Sequence, residues 1–362
     1  MSETVLIIGG GPAGMALALA LHRGGVRCRI VDARPRGAAK SDARILALSQ
    51  GSRLILETMG LGIWKEIPHT PIKTIHVSHA GGLGRTLIRA EEEKVPALGY
   101  VLAAGDLAAA LDAAVAAAGI AYTDNTPAPD HSDALLTVHA EGRIEETSDI
   151  RTRDYGQHAV ICTAHGVTAH GNIAWERFTP AGPVALLPCK DEYAVVLTCQ
   201  SGDSERIAAL NDVDFLALLQ ERFGPRVKLA GTGPRLVYPL GLRLRKTAVG
   251  EREVWIGNAA QTLHPVAGQG FNLALRDIWE LAQALGAASD PGAPEVLAAY
   301  ARGRQADRRG AIAFTDLLID GFASGFAPLK HARGAGLLAL DLLPPLRAFV
   351  AKRMIYGARA WP

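Results

Sequence analysis

This chain of 362 residues contains few cysteines and has a small net charge. The four cysteines, Cys28, Cys162, Cys189 and Cys199, show no Cys-x-x-Cys spacing, so we expect neither a metal site nor a disulfide framework. We expect these thiols to be reduced and buried, as in a cytoplasmic protein. The formal net charge is only +2, which argues against a nucleic-acid partner held by bulk electrostatics.

Long apolar runs are absent as well. No stretch reaches the roughly 18 apolar residues expected of a membrane span, and the first apolar run, Val5 to Ile8, lacks the basic segment of a signal peptide. We therefore expect a cytoplasmic protein, with any membrane association confined to the surface. Apolar residues nevertheless make up 49% of the chain, so its length and composition allow a large core in one or two domains.

The N-terminal residues carry a nucleotide-binding pattern. A short strand at Val5–Ile8 is followed by the segment 9–14, which matches G-x-G-x-x-G, and then by an alanine- and leucine-rich helix at 15–23. A second strand at 29–31 ends in Asp32, 18 positions after the last glycine. This order of strand, motif, helix, strand and acid predicts dinucleotide binding. A glycine-rich turn without a ligand is the alternative.

Each residue type in this pattern has a physical reason. Gly9 permits the tight turn, Gly11 admits a pyrophosphate, and Gly14 lets the helix pack on the strand. We expect Asp32 to bind a ribose hydroxyl. Because the motif opens the chain and Arg44 follows soon after, placed to reach phosphate, FAD is favoured over NAD.

A second stretch, from Trp255 to Asp277, reads as strand, tight loop and helix. The His264-Pro265 step prevents a continuous helix, while Gly268 and Gly270 leave the backbone bare for a flat ligand. The free N–H groups at the helix start favour an anion such as a reduced flavin. An ordinary strand–turn–helix connection is the alternative for this stretch taken alone.

Together, the glycine motif, Asp42-x-Arg44 and the stretch from Gly257 to Asp277 resemble a class A flavin monooxygenase, similar to the aromatic-ring hydroxylases. Within that group, the segment 257–265 closely resembles the 2-polyprenyl-6-methoxyphenol hydroxylases of ubiquinone biosynthesis. Segments 154–159, 177–183 and 341–354 resemble the same family. The resemblance therefore covers nearly the whole chain.

The resemblance implies an α/β fold. A Rossmann-like FAD-binding domain, similar to that of para-hydroxybenzoate hydroxylase, would carry an antiparallel-sheet substrate domain and C-terminal helices. We place the FAD-binding domain at residues 1–70, 96–153 and 240–290, the substrate domain at 71–95 and 154–239, and the C-terminal helical region at 291–362.

The resemblance also implies the chemistry. NADPH or NADH would reduce the flavin without a second nucleotide-binding domain, and the reduced flavin would take up O₂ to form a C4a-hydroperoxide. The ring of a polyprenylated phenol would attack the distal oxygen and become hydroxylated. The protein would supply orientation, electrostatics and dryness, since water would let hydrogen peroxide escape.

The site residues follow from the motifs and the resemblance. In the family, the position of Asn258 is often an aspartate near the ribitol and phosphate. The expected cofactor-binding residues are Gly9, Gly11, Pro12, Ala13, Gly14, Asp32, Arg44, Asn258, Gly268, Gly270 and Asn272. The residues expected to border the flavin ring and the oxygen site, and so to form the catalytic set, are Pro265, Gly268, Gln269 and Gly270.

No general base stands out in the sequence. His264 invites a catalytic role, although we favour a structural histidine that fixes the loop. Tyr193, Tyr238 and His158 are further candidates for moving a phenol proton, but such residues in sheets usually belong to the core.

One segment departs from the family pattern. In the family a three-stranded meander leads to an Ala-Asp-Gly motif, and such a meander needs about 20–28 residues. Only 16 residues lie between Tyr122 and His139, and Ala140-Glu141-Gly142 follows. We expect a deleted or minimal meander, which would loosen the flavin or expose one side of the domain.

The C-terminal residues mix leucines with cations between positions 329 and 353. This composition is typical of a helix pair at a membrane interface; the alternative is that the leucines pack on the flavin domain and the cations form a solvated face. Two other functions stay open at this point. They are a flavin oxidoreductase of the same fold with another aromatic or prenyl substrate, and a non-catalytic scaffold with weakened FAD binding in a ubiquinone-biosynthesis complex.

Overall fold

The structure, a computed structural model, describes residues 2–60, 62–81, 84–129, 132–142, 144, 147, 149–264, 268–323 and 327–357. The side chains of residues 2–3 and 320–333 lie outside that part. Three sheets with helices packed on them form a mixed α/β architecture, which confirms the predicted fold class.

The first sheet has six strands and contains the N-terminal motif. In its order across the sheet, the strands are β16 (Val249–Gly250), β17 (Glu253–Trp255), β9 (Ala134–His139), β1 (Ser2–Ile8), β2 (Cys28–Val31) and β8 (Ala121–Thr123). Every pair except β16 with β17 is parallel. The run from Val5 to Ile8 is buried on both faces, as expected for a central parallel strand.

Helices on this sheet complete the main core. They are α1 (Pro12–Arg23), α3 (Ala104–Ala117) and α6 (Gln269–Gly286). Leu17, Leu107 and Leu275, one from each helix, have no exposed surface and belong to the same apolar cluster. The helix α6 thus lies directly against α1, and this packing brings the two predicted cofactor-binding stretches to the same end of the sheet.

The shortened segment of the sequence connects β8 to β9. These two strands lie on opposite sides of β1 in the sheet, and residues 124–129 and 132–133, the described part of the connection, contain no strand. The structure therefore agrees with a deleted meander. Its consequence for FAD affinity stays a prediction.

The second sheet is mainly antiparallel. Its strands are β5 (Thr74–His79), β6 (Arg85–Arg89), β10 (Ile150–Gly166), β11 (Ile173–Thr179), β12 (Gly182–Cys189), β13 (Glu192–Gln200), β14 (Leu229–Thr232), β15 (Leu236–Arg245) and β18 (Gln261–Thr262). The resemblance implied an antiparallel sheet but not the strand β11, which pairs in parallel with β5. The helices α4 (Ser204–Ala208) and α5 (Asp212–Phe223) cover one face, where Phe215 is fully buried.

A third, three-stranded sheet lies beside the segment Gly268–Gly270, which we call the flavin-side loop. It consists of β3 (Ile45–Ser49), β7 (Gly99–Ala103) and β4 (Thr70–Ile72). The helix α2 (Gln50–Met59) follows β3 directly, and the Ser49 hydroxyl caps it by accepting a hydrogen bond from the Ser52 amide.

The C-terminal region is helical, as predicted, and consists of α7 (Pro294–Ala323), α8 (Ala327–Leu342) and α9 (Pro344–Tyr356). Proline at the start of α9 lacks the amide that a continuing helix needs, and the chain bends there by 101°. Among the described residues no single helix has the length and apolar character of a membrane span, although 334–342 and α9 meet that test as a bent pair.

Candidate active site

The N-terminal glycines join β1 to α1 in a tight loop. Gly9 has a φ of +106°, a conformation that favours glycine, and its amide donates to the Val31 carbonyl at 2.8 Å. Gly11 is the N-cap of α1, and no side chain caps this helix end. The amides of the first turn are therefore free to bind an anion in the field of the helix dipole.

The three motif glycines differ in the space available for a side chain. A Cβ on Gly14 would lie 1.9 Å from the Gly9 carbonyl oxygen, and a Cβ on Gly9 would lie 2.8 Å from the Ala140 backbone. A Cβ on Gly11, by contrast, would meet nothing closer than Arg34 Nη2 at 3.9 Å. Gly9 and Gly14 thus serve the packing of the loop, whereas Gly11 leaves an open approach to the backbone.

Asp32 ends β2 and is tied to the same loop. It accepts hydrogen bonds from the Gly10 amide at 2.7 Å and the Arg34 amide at 2.8 Å, and its carboxylate lies 3.1 Å from the Arg34 guanidinium. Burial alone would raise the pKa of Asp32, but these hydrogen bonds and the Arg34 charge hold it below its usual value. An ionised acid therefore stands beside the glycine loop; its contact with a ribose stays a prediction.

Arg44 is oriented by its neighbour in the motif. Its guanidinium pairs with Asp42 at 2.5 Å, and hydrogen bonding to Asp42 raises the pKa of Arg44 despite burial. The backbone of Asp42 in turn receives the Gly105 amide at 3.1 Å. A Cβ on Gly105 would lie 2.3 Å from the Lys40 carbonyl oxygen, so glycine there lets the start of α3 pack on this segment.

The second stretch leaves β17 and meets the glycine loop. Gly257 has a φ of +58°, and a Cβ on it would lie 3.2 Å from that of Ala13. Asn258 is exposed and donates a hydrogen bond to the Gly142 carbonyl at 3.2 Å. The two predicted cofactor-binding stretches are therefore in direct contact, and Ala140–Gly142 lies between them.

The side chain of Asn272 connects the flavin-side loop to β3 and α2 by hydrogen bonds. Its amide donates to the carbonyls of Ala47 at 2.9 Å and Gly268 at 2.6 Å. Its oxygen accepts from the Ser49 amide at 2.7 Å and the Ser52 hydroxyl at 2.6 Å. Both donors and both lone pairs of the side-chain amide are thus used, so any contact of Asn272 with a cofactor would be made by its backbone.

The start of α6 presents bare backbone. Gly268 is the N-cap with a φ of +61°, and a Cβ on Gly270 would meet nothing within 4 Å. Gln269, between them, is buried. Pro265, which the sequence placed beside the flavin ring, lies outside the described residues.

His264 is buried and neutral. Burial lowers its pKa to about 4, and its ring meets Tyr155 edge to face at a centroid distance of 5.6 Å. The Tyr155 hydroxyl donates to Asp316 of α7 at 2.6 Å. This arrangement fits the structural interpretation, because an imidazole with so low a pKa is a weak proton acceptor at neutral pH.

The other proton-transfer candidates are Tyr193, His158 and Tyr238. Tyr193 is buried in the apolar cluster under α5, and burial raises its pKa. The His158 Nδ1 lies 2.8 Å from the Ser204 hydroxyl of α4. Tyr238 is half-buried on β15. None of the three is held in a network that marks it as a base.

A buried ion network behind α6 was not foreseen from the sequence. Arg304 of α7 binds Asp277 and Asp307 at 2.6 Å each, and Arg276 binds Asp307 at 2.7 Å. Gln261 of β18 donates to Asp277 at 2.7 Å. The network fixes α6 against α7, and its only sequence signal is a pair of opposite charges three residues apart on an otherwise ordinary helix.

An apolar cavity of about 330 Å³ opens between α7 and α9. Its inner end reaches Gln269 of the flavin-side loop, and a smaller cavity of about 70 Å³ continues from Gln269 to Ala47 and Asn272. At the outer end, Leu317 and Phe349 are 67% and 57% exposed. The residues that line the larger cavity include Gly310, Ala313, Phe314, Leu317, Phe349 and Val350.

Comparison with protein families identifies the nucleotide-binding part of the chain. A family model described as an FAD binding domain matches residues 2–163 and 147–315. The ubiquinone hydroxylase UbiL of Rhodospirillum rubrum is 35% identical, over 95% of this chain and 87% of that protein. The 3-demethoxyubiquinol 3-hydroxylase of Escherichia coli is 28% identical, over 96% of each chain.

Solved structures share the fold. PqsL of Pseudomonas aeruginosa, in complex with 2-aminobenzoylacetate, superposes with a TM-score of 0.74 at 18% identity, covering 92% of this chain and 99% of that chain. HpxO of Klebsiella pneumoniae, complexed with FAD and uric acid, gives 0.73 at 15% identity, covering 99% and 98%. At these identities the likeness concerns the fold.

Proposed function

Because the chain belongs to the FAD-binding domain family, we propose that it hydroxylates the aromatic ring of a polyprenylated phenol in ubiquinone biosynthesis, using FAD, NAD(P)H and O₂. It is an FAD-dependent monooxygenase. The observation that carries the substrate assignment is its 35% identity with ubiquinone hydroxylase UbiL over 95% of the chain.

The residues present fit FAD. The open approach at Gly11 and the uncapped start of α1 suit a pyrophosphate, because amides at a helix N-terminus bind phosphate oxygens. We expect Asp32 to bind the ribose and Arg44 to bind a phosphate. The bare backbone from Gly268 to Gly270 suits a flat ring.

Bound FAD supplies the electron transfer from NAD(P)H and the activation of O₂. The protein's own part is to orient the phenol and to keep water out. His264 is 1% exposed and neutral, so it seals the inner side of the loop without introducing a charge. An electron-rich phenol needs no strong base, which is consistent with the absence of an obvious base near the described part of the loop.

We assign the apolar cavity between α7 and α9 to the polyprenyl tail. Its volume of about 330 Å³ lies in the range of small-molecule sites, and its lining is mostly apolar. One end lies at Gln269 and the other at the surface, so a phenol at the flavin-side loop would leave its tail in this cavity.

We propose further that the protein meets its lipid substrate at a membrane surface. Five large apolar side chains around the bend between α8 and α9 are between 40% and 66% exposed. We call this set the apolar elbow; it consists of Leu338, Leu342, Leu343, Leu346 and Phe349. Phe349 also lines the cavity mouth, so the elbow would place that mouth against the bilayer, where apolar side chains insert favourably.

Turnover with a defined phenol tests the proposed function. Purified protein with FAD, NADPH or NADH, and a short-chain 2-prenylphenol should oxidise the reductant and yield a ring-hydroxylated product seen by mass spectrometry. Substrate-independent oxidation with hydrogen peroxide as the only product would contradict the proposal.

The membrane contact needs its own measurement. Leu342→Ser combined with Leu346→Ser should reduce sedimentation with phospholipid vesicles while the visible flavin spectrum is unchanged. Val213→Ser is the matched control, since Val213 is 77% exposed on α5, away from the elbow. Equal sedimentation of the elbow variant and the control would contradict the contact.

A further inference from the structure

Glu176 of β11 is the charged member of a row of apolar residues across the second sheet. Its neighbours in register are Val77 on β5 and Ala185 on β12, and the row continues through Val196 on β13 to Ile161 on β10. Residues in register on neighbouring strands point to the same face. All five side chains are partly exposed, so this part of the face is not packed into a core.

The row lies on the face of the sheet opposite to α5. Trp175, next to Glu176 in the chain, meets Phe223 of α5 edge to face at a centroid distance of 6.1 Å. Side chains alternate along a strand, so Glu176 points away from α5, together with Ala174 and Phe178. The surroundings of Ala174 and Phe178 therefore show what covers the sheet beside the carboxyl group.

On one side of Glu176 the sheet packs against the third sheet. Ala174, two residues before Glu176, belongs to an apolar cluster against which Ile45 of β3 packs. Ala47, two residues after Ile45, points to the same face of β3, and a Cβ on Gly268 would lie 3.4 Å from the Ala47 Cβ. The third sheet thus contacts both the face that carries Glu176 and the flavin-side loop.

On the other side of Glu176 the packing leads to His264. Phe178, two residues after Glu176, forms an apolar cluster with Ile319 of α7, and Tyr155 packs against that cluster. The Tyr155 ring in turn meets the His264 ring, and His264 is four residues before the flavin-side loop in the chain. Both clusters beside Glu176 therefore lead to the segment expected to border the flavin ring, and the carboxyl group lies between them.

Open space also connects the loop with this face of the sheet. The cavity of about 70 Å³ that Gln269 lines is lined by Ile75 of β5 as well. Val77, two residues after Ile75, points to the same face of β5 and pairs in register with Glu176. The cavity therefore extends from the flavin-side loop to the row of side chains next to that of Glu176.

The carboxyl group of Glu176 has no protein partner. Across the described part of the chain, no hydrogen bond or ion pair involves it. Burial raises the pKa of Glu176 to about 7, because the charged form loses water without gaining a partner. The side chain is surrounded by protein and still keeps accessible surface, which is the situation of a group that faces an internal space. A carboxyl group that ionises near neutral pH is suited to proton transfer with a ligand in that space.

We propose that Glu176 accepts a hydrogen bond from the hydroxyl group of the phenol substrate and takes up its proton during hydroxylation. This role rests on the proposed function and adds a base to it. The phenol O–H bond breaks, a carboxyl O–H bond forms, and the electron pair stays on the phenol oxygen, where it raises the electron density of the ring. The proton then passes to the oxygen atom that leaves as water, so Glu176 is ionised again for the next cycle. A carboxylate is a weak base, which is sufficient for an electron-rich phenol.

The pH dependence of hydroxylation tests this role. The rate would be measured in single turnovers of the reduced holoenzyme mixed with O₂ and a short-chain 2-prenylphenol. In wild type the rate should fall below about pH 7, since protonated Glu176 cannot take up a proton. Glu176→Gln keeps the size of the side chain but not the base, so its rate should be about 100-fold lower and independent of pH in this range.

Two further variants control for structure and charge. Glu176→Asp retains a carboxyl group, so it should keep the fall in rate at low pH, at a reduced rate because the side chain is shorter. Glu205→Gln removes the same charge at an exposed position of α4 and should have the rate and pH profile of wild type. The visible flavin spectrum should be the same in all of these proteins.

The free energy of unfolding supplies a readout that does not depend on turnover. Folding raises the pKa of Glu176 above its unfolded value, so the free energy of unfolding should fall as pH rises from that value to about 7. Chemical denaturation of the holoenzyme near pH 5 and near pH 8 should show a smaller fall in Glu176→Gln than in wild type or Glu205→Gln. An equal fall in all three would contradict the burial of an ionisable Glu176 and overturn the role.

The outcomes separate this role from the proposed function. Loss of the pH dependence in Glu176→Gln and its persistence in Glu176→Asp support the role. If Glu176→Gln hydroxylates the phenol with the rate and pH profile of wild type, the role is overturned and the proposed function stands. If the glutamine variant loses its FAD, the aspartate variant decides: a lowered rate with the pH dependence kept supports the role, and the wild-type rate overturns it. If wild type hydroxylates no phenol, the proposed function fails and the role fails with it.

Discussion

Replacement of Gly11 by valine should abolish FAD binding without unfolding the protein. A Cβ at this position meets nothing closer than Arg34 Nη2 at 3.9 Å, so the folded chain accommodates the side chain. Gly11 is the N-cap of α1, where valine is less favourable than glycine by about 1 kcal/mol. The cost to the free energy of unfolding is therefore small.

The cost to cofactor binding is much larger. The valine methyl groups would fill the open approach to the α1 amides, and each hydrogen bond from an amide to a charged phosphate contributes about 1.5–3 kcal/mol. Loss of two such bonds gives about 3–6 kcal/mol, which corresponds to roughly two to four orders of magnitude in the FAD dissociation constant.

Titration of apoprotein with FAD, followed by flavin fluorescence, measures this loss, and circular dichroism of the apoproteins measures the fold. Gly202→Val is the matched control, since a Cβ on Gly202 also meets nothing within 4 Å but lies in the second-sheet region. Gly14→Val should fail to fold, because its Cβ would lie 1.9 Å from the Gly9 carbonyl oxygen. Wild-type FAD affinity in Gly11→Val would refute the assignment of the pyrophosphate site to Gly11 and the start of α1.

Three further predictions follow from the site. Gly310→Leu should narrow the apolar cavity between α7 and α9 and raise KM for a long-chain phenol but not for a short-chain one. Ala306→Leu, on the exposed side of α7, should change neither KM. An unchanged KM for the long-chain phenol would mean that the tail binds elsewhere. Hydrogen bonds hold the pKa of Asp32 below its unfolded value, so ionised Asp32 stabilises the folded protein above that value, and this contribution is lost as pH falls through the folded pKa. The melting temperature of the apoprotein should show this loss in wild type and not in Asp32→Asn. Parallel pH profiles of the two melting temperatures would contradict the prediction. Gly268→Val, strained at a φ of +61°, should retain part of its FAD yet release more hydrogen peroxide per NAD(P)H, and unchanged coupling would remove this loop from the active site.

The local sequence pattern was sufficient to predict the structural role of a residue where only one residue type can fill that role. Gly9 and Gly14 were predictable because the turn and the close packing of helix on strand both demand glycine. The two cofactor-binding stretches were also recognisable separately. Their contact, through Gly257 and Ala13, follows from the sheet order and could be expected only through the family resemblance.

Long-range polar contacts were not predictable in this way. Asn272 looked like a cofactor ligand, but its side chain is occupied by β3 and α2, elements more than two hundred residues earlier in the chain. The ion network around Arg304 and Asp307 shows the same limit, since charges on a helix usually indicate a solvated face. The strand β11 was missed because Trp175, Arg177 and Thr179 do not form an apolar run, and its parallel pairing with β5 has no local signal.

Oxygen-isotope labelling tests the central claim most directly. The enzyme would be incubated with NAD(P)H, a polyprenylated phenol and heavy-isotope O₂, and the product examined by mass spectrometry. The account predicts one labelled oxygen atom on the aromatic ring, formed with wild-type protein and lost with Gly11→Val. A product without label, or label incorporated equally by the variant that does not bind FAD, would contradict it.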